Sequence, residues 1–219
     1  MRFRTAAFLL LAALMLSGCG TIPRTAEPSP IALAPAKTIP KAEAVVVKPE
    51  SAPEFIAPIS DATSRVTKKP FGLLVSRKTS PVQPERFSGY HCGVDFETTA
   101  AEQDVDVPIV AACSGTLLVK KRATGYGGVA VQSCVLGGKD VTVVYGHLRL
   151  ESIAAAIGSI ITQGEHIGML GKGFSTETDG ERKHLHLGVH MGTAVDIRGY
   201  VQTEAALSAW IDARTSIAK

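Results

Sequence analysis

From Phe71 onward, glycine punctuates this chain so regularly that little room is left for anything but short strands. Pro108-Ile109-Val110-Ala111-Ala112 leads into Ser114-Gly115-Thr116-Leu117-Leu118-Val119, and Thr124-Gly125-Tyr126-Gly127-Gly128 turns the chain. Val129-Ala130-Val131-Gln132 returns, and Gly137-Gly138 turns again into Val141-Thr142-Val143-Val144-Tyr145. β-branched runs bounded by glycine at such intervals indicate antiparallel sheet. Helical signal is sparse. Leu150 to Ile157 reads as a turn or short helix ended by Gly158. Thr203 to Ile211 reads as a C-terminal helix with Thr203 as cap and an apolar stripe of Ala206, Leu207, Trp210 and Ile211. The expected fold class is mainly β: an antiparallel β-sheet domain over residues 69–202, then a short C-terminal helix and tail over 203–219.

The chain before this domain has another texture. Arg2 and Arg4 precede an apolar stretch, Ala6 to Leu16, that is too short to span a bilayer as a stable helix. It ends in Leu16-Ser17-Gly18-Cys19, which resembles a bacterial lipobox. That resemblance implies a lipoprotein signal peptide over residues 1–18, cut before Cys19, and lipidation of Cys19; an ordinary secretory signal with a chance cysteine is the alternative. Several acyl chains on Cys19 would anchor the protein stably, where one chain would be marginal. Gly20 stands where an inner-membrane retention signal would usually have Asp, which favours an outer membrane, with the chain facing the periplasm. Residues 19–68 then read as a lipid-anchored tether rich in Pro and Ala, reaching ~40 Å as a flexible coil. Within it, Val45-Val46-Val47 is either a short docking strand or solvated linker.

The formal net charge of the chain is +3, and Arg2 and Arg4 contribute to it. The mature protein is therefore close to neutral, which speaks against a nucleic-acid binder. Beyond Cys19, the cysteines are Cys92, Cys113 and Cys134, in a compartment that permits disulfides. Three single pairings are open. If the first hairpin pairs Lys120 with Gly127, Cys113 falls opposite Cys134 with side chains on one face. That bridge is expected, leaving Cys92 as a free thiol.

Histidines carry the chemistry. His184 and His186 lie two apart in an apolar alternation, so on a strand they share a face. Two buried imidazoles side by side are costly without a partner that uses them, and a metal is the usual one. His91 and Asp95, four apart around Gly93, also share a face on extended chain, and Asp95 supplies an anionic ligand. His147 follows a β-run and Gly146. Each segment alone is weak or mute.

Together, and in this order, His91-Cys92-Gly93-Val94-Asp95, Tyr145-Gly146-His147-Leu148 and His184-Leu185-His186 resemble the lysostaphin-type (LytM-like) zinc metallopeptidases. The resemblance runs from about Phe87 to about Tyr200 and takes in Gly125-Tyr126-Gly127-Gly128 and Gly164-Glu165-His166-Ile167-Gly168. It implies a mainly β metallopeptidase domain holding one zinc ion through His91, Asp95 and His186. His147 and His184 become catalytic histidines that do not bind the metal, with the identity of the base left open. The implied partners are peptidoglycan stem peptides, and the implied activity is endopeptidase cleavage of their crosslinks. Two alternatives stand beside it: a non-cutting, cell-wall-binding activator of other murein hydrolases, and a peptidase for glycine-rich proteins. An unrelated zinc hydrolase is a more distant one.

The chain departs from the commoner pattern at Cys92 and in the charged stretch Glu177 to Lys183. His166 is expected to be exposed. His190 is expected to be a plain surface or core residue, with a supporting contact to His186 as the alternative. Glu97 and Glu102 are spare carboxylates; there is no His-Glu-x-x-His motif. Tyr126 and Tyr200 either line a groove or cap the core, the latter favoured for Tyr200. Phe71 to Arg86 reads as a regulatory lid or a lead-in strand.

Overall fold

The computed structural model describes residues 55–217. The expected signal peptide, Cys19, Val45-Val46-Val47 and most of the expected tether lie outside the described residues. In chain order the elements are a one-turn helix α1 (Ala62–Arg65) and twelve strands: β1 (Leu74–Val75), β2 (Gly89–His91), β3 (Gly93–Glu97), β4 (Pro108–Val110), β5 (Gly115–Ala123), β6 (Gly127–Leu136), β7 (Lys139–Leu148), β8 (Ile160–Ile161), β9 (His166–Met169), β10 (His184–Met191), β11 (Tyr200–Val201) and β12 (Trp210–Ile211). A seven-stranded sheet runs β12-β10-β7-β6-β5-β8, with β3 also paired to β10. A three-stranded sheet runs β1-β2-β11, and β4 pairs with β9. Every strand pairing is antiparallel, as the glycine-bounded runs predict.

β10 is the pivot. One edge pairs with β7; along the other, β3 covers His184 to Gly188 and β12 covers Val189 and His190. Leu185, Leu187 and Val189 enter the main core with Val141, Val143 and Tyr145 of β7. Each such buried aliphatic side chain contributes roughly 1.5–3 kcal/mol. Because successive residues of a strand face opposite ways, that burial turns His184 and His186 to the other side. There Val144, Val129, Val131 and Tyr126 form a smaller cluster.

Three expectations need correction. The first hairpin closes Ala123 on Gly127 and pairs Lys120 with Ala130, not with Gly127. Gly125 and Gly127 take φ of +87° and +70°, which tightens the turn in a way open to glycine. Cys113 is nevertheless bonded to Cys134, with Cα atoms 6.0 Å apart. It reaches its partner from the bend before β5, where Gln132 Nε2 donates to the Cys113 carbonyl at 3.0 Å, rather than from a ladder position.

The C-terminal helix is a 3₁₀ segment, Glu204–Ala209, without a side-chain cap from Thr203. Trp210 and Ile211 leave it as β12, because pairing with β10 buries Trp210 against Cys92 and Val201. The domain also begins earlier than the expected bound at residue 69. Phe55, Ile59 and Ala62 belong to the main core, so residues 55–68 are part of the domain. Leu150–Ser152 is a 3₁₀ turn, and Gly158 (φ +89°) follows.

Candidate metal centre

The register of β10 builds the centre. His186 lies directly opposite Asp95 of β3 on one side and Gly146 of β7 on the other. Directly paired residues present side chains to one face. His91 arrives from the neighbouring sheet, where it pairs with Tyr200. Gly93 lets these rings meet: a methyl group there would stand 2.5 Å from the His186 ring.

His91 Nε2, Asp95 Oδ1 and His186 Nδ1 form a nearly equilateral triangle. Its sides are 3.1 Å (His91 to His186), 3.1 Å (His186 to Asp95) and 3.2 Å (His91 to Asp95). All three residues are buried. Pro70 O lies 3.1 Å from His91 Nδ1. A carbonyl only accepts, so Nδ1–H donates and Nε2 turns its lone pair inward. With the His186 proton on Nε2, two nitrogen lone pairs and a carboxylate converge in a buried space and repel one another unless a cation joins them. Tetrahedral zinc, with ligands at 2.0–2.2 Å, has ligand-to-ligand edges of about 3.3–3.6 Å, within a few tenths of an ångström of these sides, and in catalytic sites keeps one position open. The donor set and its spacing fit such an ion.

Electrostatics keep the donors in the required states. Burial pushes Asp95 up, but His184 and His91 beside it hold the carboxyl well below the usual range. Burial lowers His186 to about 4, and the Asp95 carboxylate beside it pulls the other way. His147 is also held well below the ordinary histidine value, by burial first and His184 second. These rings are therefore neutral near pH 7, the form that binds metal or accepts a proton.

His147 and His184 stand beside the triangle with ring centroids 4.2 Å apart. His184 follows from alternation. His147 does not. Gly128 pairs with Leu148 and Val129 with Gly146, so His147 is the extra residue of a β-bulge. Tyr145 and Leu148 both enter the core, and His147, at φ +63°, is turned toward the site instead. Its Nδ1 is buried without a partner among the described residues. His184 Nδ1 lies 2.9 Å from the Arg182 carbonyl and must donate to it, and Nε2 is 3.3 Å from Asp95 Oδ2.

Arg182 is the contributor that sequence reasoning missed. It lies in the unusual charged stretch, is buried, and binds Asp95 Oδ2 at 2.8 Å and Glu97 Oε1 at 2.6 Å. Glu97 is thereby occupied, and Glu102 is held by Arg65, so neither is a spare base. Lys69 was missed too; its Nζ meets Glu85 at 2.5 Å and Tyr200 Oη at 2.9 Å. No local pattern announces either cation.

A cleft of about 380 Å³ is lined by Asp95, His147, His184, His186, Tyr126 and Tyr200, with Lys69 and Arg182. Tyr200 therefore lines the groove instead of merely capping the core. Tyr126 lies 5.4 Å from His147 and 5.3 Å from His186, centroid to centroid. The Phe71 to Arg86 stretch supplies β1 and then the cleft's edge, where Arg86 binds Glu181 at 2.8 Å and Asp179 at 3.3 Å across the rim. His166 is exposed on β9. His190 packs against Trp210 at 4.8 Å and lies 3.9 Å from Asp196. Cys92 is a buried free thiol that donates to the Arg198 carbonyl at 2.9 Å.

Residues 89–197 match Peptidase family M23, and the domain that they form belongs to this family. Among solved structures, the chain is similar to the catalytic domain of the antimicrobial peptidase lysostaphin from Staphylococcus simulans. That match has 18% identity over 70% of this chain and 95% of the other, at a TM-score of 0.45. It is similar to LytU at 20% identity, over 70% of this chain and 90% of that one, at 0.44. A chain of the SpoIIIAH and SpoIIQ complex matches at 20% identity, over 65% of this chain and 96% of that one, at 0.46. No curated protein shows a significant match.

Proposed function

We propose that this protein is a zinc-dependent endopeptidase that hydrolyses the peptide crosslinks of bacterial peptidoglycan, held to an envelope membrane by lipid on Cys19. One observation carries the activity: the His91, Asp95 and His186 donor triangle has His184 and His147 immediately beside it, in one cleft. Membership of Peptidase family M23 and the lipobox-like Leu16-Ser17-Gly18-Cys19 support the substrate and the anchoring.

His91, Asp95 and His186 would hold the ion. Bound zinc would lower the pKa of a water molecule and polarise the scissile carbonyl. The remaining work falls to the chain. His184 has Nδ1–H tied to the Arg182 carbonyl, so Nε2 is free to take the proton of the hydrolytic water. The imidazolium so formed is steadied by Asp95 Oδ2, 3.3 Å away. His147, with Nδ1 unpartnered and the ring neutral, hydrogen-bonds the developing oxyanion, and the proton taken up by His184 passes to the leaving nitrogen. Arg182 orients Asp95 through the carboxylate oxygen turned away from the triangle.

The test is digestion of purified sacculi, with and without a chelator, and mass spectrometry of the products. Chelator-sensitive cleavage within stem-peptide crosslinks is expected. Binding to sacculi with no products would assign the chain to the activators, and cleavage of a glycine-rich peptide alone would assign it to protein substrates.

A further inference from the structure

The cleft holds a charged device that this mechanism leaves unused. The Lys69 and Glu85 side chains are 2% and 1% exposed and meet at 2.5 Å. Taking such a pair out of water costs several kcal/mol per ion, so it persists only where its geometry is well satisfied. Glu85 is held by further donors: Ser80 Oγ donates to it at 2.7 Å and the Phe87 amide at 2.9 Å. The remaining reach of the lysine goes to Tyr200 Oη, at 2.9 Å.

An ammonium only donates, so the phenolic oxygen accepts and its own hydrogen must point elsewhere. No acceptor for that hydrogen is present among the described residues. Tyr200 lines the cleft, its ring centroid 5.2 Å from that of His91. Phe87 stacks on it at 5.5 Å with 15° between planes, which holds the ring still. A hydroxyl that accepts from a cation becomes a stronger donor, because linked hydrogen bonds polarise one another.

We propose that the Tyr200 hydroxyl, polarised by the buried Lys69–Glu85 pair, is a substrate-binding donor that takes a carbonyl or carboxylate oxygen of the peptide lying in the cleft. Tyr200 touches substrate; Lys69 is a positioning residue that acts through it. The inference rests on the peptidase reading for its substrate, not for its geometry.

Tyr200→Phe in the zinc-loaded full chain removes only the hydroxyl. With a crosslinked peptide dimer from peptidoglycan as probe, kcat/KM is expected to fall about tenfold or more, the range for a lost hydrogen bond to a strong acceptor. Zinc content and thermal stability should match wild type. The paired variant Lys69→Met with Glu85→Gln removes both charges; it should cost several-fold with Tyr200 present and nothing further in the Tyr200→Phe background. Should that pair fail to fold, Tyr200→Phe decides alone. Wild-type kcat/KM in Tyr200→Phe overturns the proposal, as does an equal loss from the paired variant with and without the hydroxyl. A dimer with amidated carboxyl groups identifies the acceptor: a persisting Tyr200 effect means a carbonyl, and a vanished one means a carboxylate. If the wild type cuts no dimer, the reading as a peptidoglycan endopeptidase falls. Equilibrium binding of the same dimer to wild type and Tyr200→Phe then tests the donor directly, and equal affinity overturns it.

Discussion

Arg182 Nη2 stands 2.8 Å from Asp95 Oδ2, and the same guanidinium grips Glu97 through Nε at 2.9 Å. Asp95 turns its other oxygen to His91 and His186. The arginine therefore fixes which carboxylate oxygen faces the proposed metal. Its planar fork does this; a lysine carries the charge without the geometry. Arg182→Lys is expected to weaken zinc binding about tenfold, the lower range for loss of a group that orients a ligand. Competition against a chromophoric chelator measures it, and wild-type affinity would sink the assignment.

His184 and His147 separate from the ligands by a different readout. His184→Ala and His147→Ala should each retain about one zinc per chain and lose roughly two to four orders of magnitude in cleavage rate. His186→Ala should lose the metal itself. Metal analysis beside a cleavage assay distinguishes the two outcomes, and full activity in His184→Ala would remove it from the mechanism.

Acid stability has an identifiable contributor. The Arg65 guanidinium binds Glu102 at 2.7 and 2.8 Å and, as the largest influence, holds its carboxyl down at about 2. A carboxylate whose folded pKa is depressed stabilises the fold above its ordinary value, and that stability is lost as pH falls through the folded value. Between about pH 4.5 and 2 the wild type should lose ~1 kcal/mol that Glu102→Gln never had, after allowance for solvent screening. Urea unfolding at pH 6 and pH 2.5 tests this: the gap between wild type and variant should be wide at the first and narrow at the second. An unchanged gap would refute it.

The cysteines offer a chemical check. Burial first, and Asp196 second, push the Cys92 thiol up to about 12. Iodoacetamide at pH 8 should leave it unmodified in the native protein and alkylate it after denaturation. Mapping of a non-reduced digest should recover Cys113 joined to Cys134. Removing that bridge, which closes a separation of 21 residues, should cost about 3 kcal/mol. Rapid labelling of native Cys92 would contradict its burial.

Much of this domain can be read from local pattern. Leu185, Leu187 and Val189 alternate with His184 and His186, so a strand that buries the first set must carry the two histidines on its far side. Glycine-bounded runs announce the hairpins, and motif order announces the family. Period and turn chemistry belong to a few neighbouring residues, so one chain segment suffices to show them.

What the tertiary structure alone decided involves residues far apart in sequence. Arg182 reaches Asp95 across 87 positions, and Lys69 reaches Tyr200 across 131. His147 faces the site because of a bulge against β6, and a bulge is a property of two paired strands rather than of either one. The first hairpin's register and the strand made by Trp210 and Ile211 were settled in the same way, by what the folded core could bury. Alternation says which residues share a face; only packing says which faces meet.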